Sequence, residues 1–266
     1  MVDETNPQNW SVVTGANRGI GLEFTRQLLE AGHLTVACCR NPDEAGELKK
    51  LQDTHGHALK TVQLDVSDPE SLTASAETLN ELSGGVGLLI HNAGIVGNGK
   101  EGLSNFQSIE MLKVFQVNLF GPLELTRALL PKLEETSGKV FILTSRTGAL
   151  RHPDPKDKPG SQFSYPCSKA AVHRLVSLLG TDLVPHGITV GGIDPSWVRT
   201  AMTSGGTPPK DRFMLEPSES VKGMLEVMNQ VSLEKTGYLW RWSGNLSNWY
   251  APEETAEERQ TLPEND

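Results

Sequence analysis

Between Ser11 and Gly21 the chain reads SVVTGANRGIG, a short apolar run that ends in glycines and passes directly into LEFTRQLLEAG, whose apolar spacing is helical. A strand that turns into a helix through glycines gathers backbone N–H groups and the positive end of a helix dipole at one point, an arrangement suited to a pyrophosphate. Gly15, Gly19 and Gly21 suit that turn because a side chain would hold phosphates off the backbone and block positive φ. The spacing is G-x-x-x-G-x-G and not the dinucleotide G-x-G-x-x-G, so the turn alone fits either a nucleotide cradle or ordinary turn chemistry.

The rest of the chain repeats this strand-to-helix step. Strands are predicted at Trp10–Thr14, 34–39, 61–66, 86–91, 139–145, 187–193 and 237–241. Helices are predicted from Ile20 to Gly32, over 42–54 and 69–82, over 108–134 with a kink near Gly121-Pro122, from Phe163 to Val184 and over 216–231. LTVACC at 34–39 is apolar throughout, as in a parallel strand covered on both faces. Regular alternation of strand and helix implies α/β architecture: one doubly wound, mostly parallel sheet of about seven strands with helices on both faces. No linker divides the 266 residues, so the expectation is a single domain over 1–266. Residues 1–9 read as a loose lead-in, and the acidic tail 252–266 as disordered. RHPDPKDKPGSQ at 151–162 reads as a surface loop, either a connector or a wall facing a substrate.

Charge narrows the function classes. The formal net charge is −9 with no basic stripe, which argues against a nucleic-acid partner. Three cysteines, two of them adjacent, offer neither a disulfide framework nor a zinc set, and no metal is expected. The polar start and the lack of a long apolar stretch give the expectation of a cytoplasmic protein with no membrane partner.

Tyr165-Pro-Cys-Ser-Lys169 lies one turn into a predicted helix. Tyrosine and lysine at i and i+4 share a helical face, so the ammonium is expected near the phenol oxygen, lowering its pKa and making it a proton donor. A bare Tyr-x-x-x-Lys is also a common coincidence of amphipathic helices. Here, however, Ser145 ends the preceding strand, Asn118 lies in the helix before it, and Asn92-Ala93-Gly94 follows the fourth strand. Ligands of open α/β sheets bind at such carboxyl-terminal edges.

With TGANRGIG (14–21), Asp65-Val66, Asn92-Ala93-Gly94, Asn118, Ser145, Tyr165 and Lys169 in order and spacing, nearly the whole chain resembles the short-chain dehydrogenase/reductase family. That resemblance implies a Rossmann-type fold and hydride transfer from a nicotinamide cofactor. It casts Ser145 as holding a substrate carbonyl oxygen, Tyr165 as proton donor, Lys169 as binding the ribose and depressing the tyrosine pKa, and Asn118 as holding a relay water. Cofactor contacts are implied at Gly15, Asn17, Arg18, Gly19, Ile20, Gly21, Arg40, Asp65, Val66, Asn92, Ala93, Gly94, Tyr165, Lys169, Pro195, Trp197, Val198 and Thr200. Within the family the stretch Asp194-Pro195-Ser196-Trp197-Val198-Arg199-Thr200-Ala201-Met202 is similar to the C-factor and sniffer carbonyl reductase branch, with Ser196 where those members carry glycine. The same departure is also reminiscent of fungal alkaloid-tailoring members. The implied partners are a small-molecule substrate and a second or further copy of the chain, in a homodimer or homotetramer through the helices starting near 108 and 163.

An NAD-type site places an acid at the end of the second strand to hold the ribose 2′-OH; that place is Cys39, followed by Arg40. Arg40 and Arg18 therefore point to NADP(H), with an ordinary exposed arginine as the alternative for Arg40. The expected reaction is reduction of a carbonyl on a small hydrophobic organic molecule. Imine or iminium reduction or cyclisation on the same fold is one rival, and a cofactor-binding sensor or signalling protein is another. Trp197, Trp240, Trp242 and Trp249 read as packing groups more readily than as an aromatic pocket. His152 reads as a solvated loop histidine or a second proton donor, and Cys167 as a packing residue.

Overall fold

The computed structural model describes residues 9–98, 101–150, 163–203 and 214–247. The lead-in up to residue 8, the 151–162 loop with His152, Trp249 and the acidic tail lie outside the described residues. Seven strands, β1 (Trp10–Thr14), β2 (Leu34–Cys39), β3 (Leu59–Gln63), β4 (Val86–His91), β5 (Lys139–Leu143), β6 (Thr189–Asp194) and β7 (Tyr238–Arg241), form one sheet in the order β3-β2-β1-β4-β5-β6-β7. Every neighbouring pair is parallel, so the sheet is wholly and not mostly parallel. This is the Rossmann-type arrangement, with its topological switch between β1 and β4.

Alternate residues of each strand enter separate cores. Val12, Val36 and Val140 face a layer with Leu72 and Leu79 of α3 (Pro69–Asn80), Leu125 of α5 (Gly121–Ala128) and Val172 and Val176 of α7 (Ser164–Asp182). Val13, Ala37 and Phe141 face the other layer, with Phe24 and Leu28 of α1 (Gly19–Glu30), Leu48 of α2 (Gly46–His55) and Val221 and Met224 of α8 (Pro217–Gln230). Full burial of a side chain such as Phe24 or Leu28 stabilises the fold by about 1.5–3 kcal/mol. Among the described residues no helix is long and apolar enough to cross a membrane.

β5 stops at Leu143, two residues short of Ser145, because Ser145 instead caps a 3₁₀ turn, and three other predicted elements are displaced or broken. The third strand occupies 59–63 and not 61–66. Asp65 ends it: its Oδ1 accepts from Ser67 N at 2.9 Å and Ser67 Oγ at 2.6 Å, while its own N–H goes to Ser71 Oγ, a local turn that competes with the ladder. The helix expected over 42–54 is a 3₁₀ turn, Pro42–Glu44, followed by α2, because Ala45 sits at φ −83°, ψ 68° between them. The long helical stretch jogs earlier than Gly121-Pro122. α4 (Ser108–Phe115) passes through a π-turn at Gln116–Phe120 into α5, and the chain breaks again at Leu129 before α6 (Leu130–Glu134). Pro122, with no N–H to give, sits just past the widened turn. Gly121 suits its place because a Cβ there would lie 2.7 Å from the Val66 carbonyl oxygen.

Candidate active site

The turn after β1 is packed closely from below. Gly15 has φ +64°, and a Cβ on it would lie 3.0 Å from Ala93 Cα and 3.1 Å from Asn92 Nδ2. A Cβ on Gly21 would collide with the Gly15 carbonyl and the same amide. Asn92 Nδ2 donates to Thr14 O at 2.9 Å and Gly15 O at 3.1 Å, and Thr14 Oγ1 accepts from the N–H groups of Asn92 and Ala93 at 3.1 Å. Asn92 thus fastens the ends of β1 and β4 together at the switch point. Thr14 opens the TGANRGIG motif, and its part in joining the two strands rests on a hydroxyl at the last strand position before the glycines.

Above that turn the groups suit an anion. Arg18 holds the N-cap position of α1 without a side-chain cap, and no acidic residue occupies the first helical turn. The N–H groups there need an acceptor, which a pyrophosphate supplies. Arg18 and Arg40 are both exposed beyond the carboxyl ends of the paired strands β1 and β2. Cys39 beside Arg40 is buried, and burial pushes its thiol pKa up. No carboxylate therefore stands at the end of β2 to hold a ribose 2′-OH. Asp65 turns its carboxylate onto Ser67, and Val66 is buried against the start of α5.

On the other side of the switch point, β5 and α7 supply the proton-handling groups. Ser145 follows β5 and caps the 3₁₀ turn Arg146–Gly148, its Oγ accepting from Thr147 N at 3.3 Å and Thr147 Oγ1 at 3.0 Å. Its side chain faces the Tyr165 phenol and works to lower its pKa. Gly148 lets this turn lie directly on α7, where a Cβ would sit 2.5 Å from the Lys169 carbonyl carbon and 2.6 Å from Ala170 N. His173, one turn beyond Lys169, is buried beside the backbone of Ser145 and Gly148, which works to raise its pKa. Burial, aided by Lys169, lowers its pKa to about 4.

Lys169 is buried, and its Nζ donates to Leu143 O at 2.7 Å and lies 5.7 Å from the centre of the Tyr165 ring. Burial lowers its pKa to about 8 against the opposing pull of Asp194. Tyr165 departs from expectation: its pKa is pushed up to about 12, chiefly by burial, with Asp194 adding to the rise and Ser145 working against it. Desolvation dominates, so the phenol is held neutral and not eased toward phenolate.

Asn118 sits inside the π-turn and is buried. Its Oδ1 accepts from Ile95 N at 2.9 Å, and its Nδ2 donates to Ile95 O at 2.9 Å and Ser168 Oγ at 3.0 Å. Ser168 Oγ in turn donates to Tyr165 O at 2.7 Å. The Asn118 side chain is committed to this chain of contacts, so a relay water would need another of its atoms. Gly94 passes the same amide, a Cβ there lying 3.4 Å from Asn118 Oδ1.

The 194–203 loop follows β6. Asp194 Oδ1 accepts from Ser196 N at 3.1 Å, and Ser196 takes φ +68°, a conformation glycine adopts without strain. Ser220 Oγ donates to Pro195 O at 2.7 Å, and Val198 bridges to Leu215. The Trp197 indole N–H is buried with no partner. Thr200 reaches the glycine turn, its Cγ2 lying 3.4 Å from where a Gly19 Cβ would be. Ile20 packs on the α1-side core. Trp240 is buried, and Trp242 packs on Gly223, as packing groups should. Cys167 is exposed, contrary to the packing role expected of it, because the first turn of α7 presents that face outward.

Residues 9–210 match the family model described as short chain dehydrogenase. Dehydrogenase/reductase SDR family member 7B of Xenopus laevis is 30% identical over 199 residues, 72% of this chain and 59% of that protein's length. An uncharacterized oxidoreductase of Schizosaccharomyces pombe is 28% identical over 248 residues, 88% of this chain and 95% of the other. Among solved structures, an NADPH-bound carbonyl reductase from chicken fatty liver has a TM-score of 0.81 and 34% identity, covering 91% of this chain and 99% of that one. The carbonyl reductase Sniffer of Drosophila melanogaster shares the fold at a TM-score of 0.80 and 22% identity, over 92% and 100% of the two chains. The chain belongs to the short-chain dehydrogenase family and is an oxidoreductase of that family.

Proposed function

We propose that the protein is an NADPH-dependent reductase of a carbonyl group on a small hydrophobic molecule, acting in the cytoplasm on one domain spanning residues 1–266. The observation that carries this reading is the meeting of Ser145, at the turn after β5, with a Tyr165 phenol kept neutral by burial and the Lys169 ammonium 5.7 Å from its ring centre. When bound, the nicotinamide supplies the hydride. The Gly15–Gly21 turn and the amino terminus of α1 hold the pyrophosphate, and Arg18 and Arg40 hold the 2′-phosphate through charge-assisted contacts. Lys169 takes the ribose hydroxyls. Ser145 Oγ orients the substrate carbonyl oxygen toward Tyr165, whose hydroxyl proton passes to that oxygen as negative charge develops on it. A pKa of about 12 keeps the phenol proton in place until an alkoxide, the stronger base, forms beside it.

A binding module needs no buried proton donor, which favours an enzyme over a sensor. The similarity to an NADPH-bound carbonyl reductase and the presence of Cys39, not an acid, at the last position of β2 support NADPH over NADH. The test follows NADPH consumption against a panel of hydrophobic aldehydes, ketones and cyclic iminium compounds. Turnover of ketones or aldehydes by the wild-type chain is the expected result. Turnover confined to iminium compounds, or none with any substrate despite NADPH binding, would replace this reading.

A further inference from the structure

Helix α7 begins without a cap of its own. Phe163 stands at the N-cap position with no side chain to offer, and Pro166 has no N–H, so the first turn's unpaired donors fall next to Tyr165. A residue 63 positions away meets that need. Glu101, only 4% exposed, turns its carboxylate under the helix: Oε2 accepts from Phe163 N at 3.0 Å and Ser164 N at 2.8 Å, and Oε1 accepts from Ser164 Oγ at 2.6 Å. A carboxylate is buried at a cost unless hydrogen bonds replace its water, and these three do so. They also hold its pKa below the ordinary carboxylate value.

The segment carrying Glu101 is a tight turn fastened to α7 at both ends. Gly102 N donates to Asn105 Oδ1 at 2.6 Å and Asn105 N returns to Gly102 O at 3.1 Å, closing the turn. Beyond it, the Phe106 ring meets the Phe163 ring edge to face, with centres 6.1 Å apart. Glu101 and Phe106 thus grip the residues immediately before Tyr165. On the other side, Ser168 and Asn118 hold the Tyr165 carbonyl. Both sides of the backbone that carries the Tyr165 ring are thereby fastened.

We propose that Glu101 is a positioning residue for Tyr165: its carboxylate, acting through Phe163 and Ser164, sets where the phenol oxygen lies against Ser145. This rests on the proton-donor role given to Tyr165 above, but its test does not depend on turnover alone. Glu101→Gln keeps the shape and can still satisfy the site, with the amide oxygen on the two N–H groups and the NH₂ donating to a rotated Ser164 hydroxyl. Glu101→Ala removes every contact.

In Glu101→Ala, kcat should fall by at least about tenfold while NADPH affinity, measured by fluorescence, changes less than about twofold, because the glycine turn lies elsewhere. Glu101→Gln should recover kcat to within about threefold of wild type. In the protein without cofactor, the tyrosine titration followed by ultraviolet difference absorbance should show the step lost in Tyr165→Phe moved to a different pH in Glu101→Ala and restored in Glu101→Gln. If no substrate turns over, the titration alone decides, so failure of the reductase reading and failure of the positioning role are separable. Should Glu101→Ala not fold, Ser164→Ala, which deletes one of the three contacts, should move the same step in a folded protein. A Tyr165 step unmoved in the folded Ala variants, no rescue by Gln, or parallel loss of NADPH binding would overturn the proposal.

Discussion

Burial drives the pKa values of Tyr165 and Lys169 apart, to about 12 for the phenol and about 8 for the ammonium. At neutral pH the phenol keeps its proton and the ammonium its charge, the pairing a reductase of this type needs. Tyr165→Phe deletes the hydroxyl and keeps the ring, so it should lower kcat on a ketone by about 10²–10⁴-fold, the usual worth of general acid catalysis. NADPH affinity should hardly change. An iminium substrate, which needs no proton on reduction, should lose far less, and full ketone reduction by the variant would remove Tyr165 from the mechanism. Cofactor choice is also decided by single residues: Cys39→Asp with Arg40→Ala should turn a preference for NADPH toward NADH, read as the ratio of kcat/KM values, and an unchanged ratio would remove Arg40 from the 2′-phosphate. Ser196→Gly relieves a positive φ in a loop that also reaches Gly19 through Thr200, so its effect should fall on KM for substrate first and on NADPH affinity by less than about tenfold, about 1.4 kcal/mol. That Tyr165 and Lys169 share a helical face was legible from spacing, a local property, while Asn118 and Ser145 were singled out through the family resemblance. The parts played by Thr14, Glu101, Gly148 and His173 were not legible, because each matters through a partner distant in sequence.

At the scale of elements, strands were read most accurately where both faces are buried. β1, β2 and β4 occupy the expected residues, because an apolar run bounded by turn residues has little freedom in where it starts and stops. β3 was misplaced by two to three residues because Leu64 and Val66 look like strand, but the chain leaves the sheet after Leu64 N reaches Cys39 O and Asp65 closes a turn that holds Val66. The π-turn left no mark in composition; within it Asn118 bonds to Ile95 and Ser168, both distant in sequence. α8 shows the same dependence on distant groups, since Lys139, at the start of β5, donates to the carbonyls of Met228, Asn229 and Val231 at 2.9, 3.1 and 2.8 Å. A cation there satisfies carbonyls that the helix cannot pair and complements its dipole. Lys139→Met should lower stability by about 1–3 kcal/mol in urea titration, with the slope unchanged. No loss would show that water serves those carbonyls equally well.

Over the whole molecule, acid should act through histidines the fold keeps neutral. His91 is fully enclosed, its Nε2 2.8 Å from Thr126 Oγ1, and burial lowers its pKa to about 3 from 6.5. The unfolded chain therefore binds a proton between pH 6.5 and 3 that the folded chain refuses, so the stabilisation is complete above 6.5 and is lost as pH falls through that window. Each such histidine should contribute up to about 2 kcal/mol of lost stability between pH 6.5 and 5. His91→Gln should flatten that part of the profile in denaturant titrations at several pH values, and an unchanged acid limb would assign the loss to other groups. Ile109, Leu112, Phe120 and Leu123 leave an exposed apolar stripe along α4 and α5, with Leu178 exposed on the adjacent α7. The protein should accordingly run as a dimer or larger in light scattering at micromolar concentration, and Leu112→Glu should weaken that association; a monomeric wild type would refute it. The strand order has one more consequence. β1, β2 and β3, with the glycine turn and both arginines, come from the chain before residue 82, while Asn118, Ser145, Tyr165 and Lys169 all come after residue 86. The seam between these blocks in the sheet is β1 against β4, locked by Thr14 and Asn92. A backbone cut near Ser83 would separate a nucleotide-gripping fragment from a proton-handling one, and complementation between the two should regain activity only when both are present.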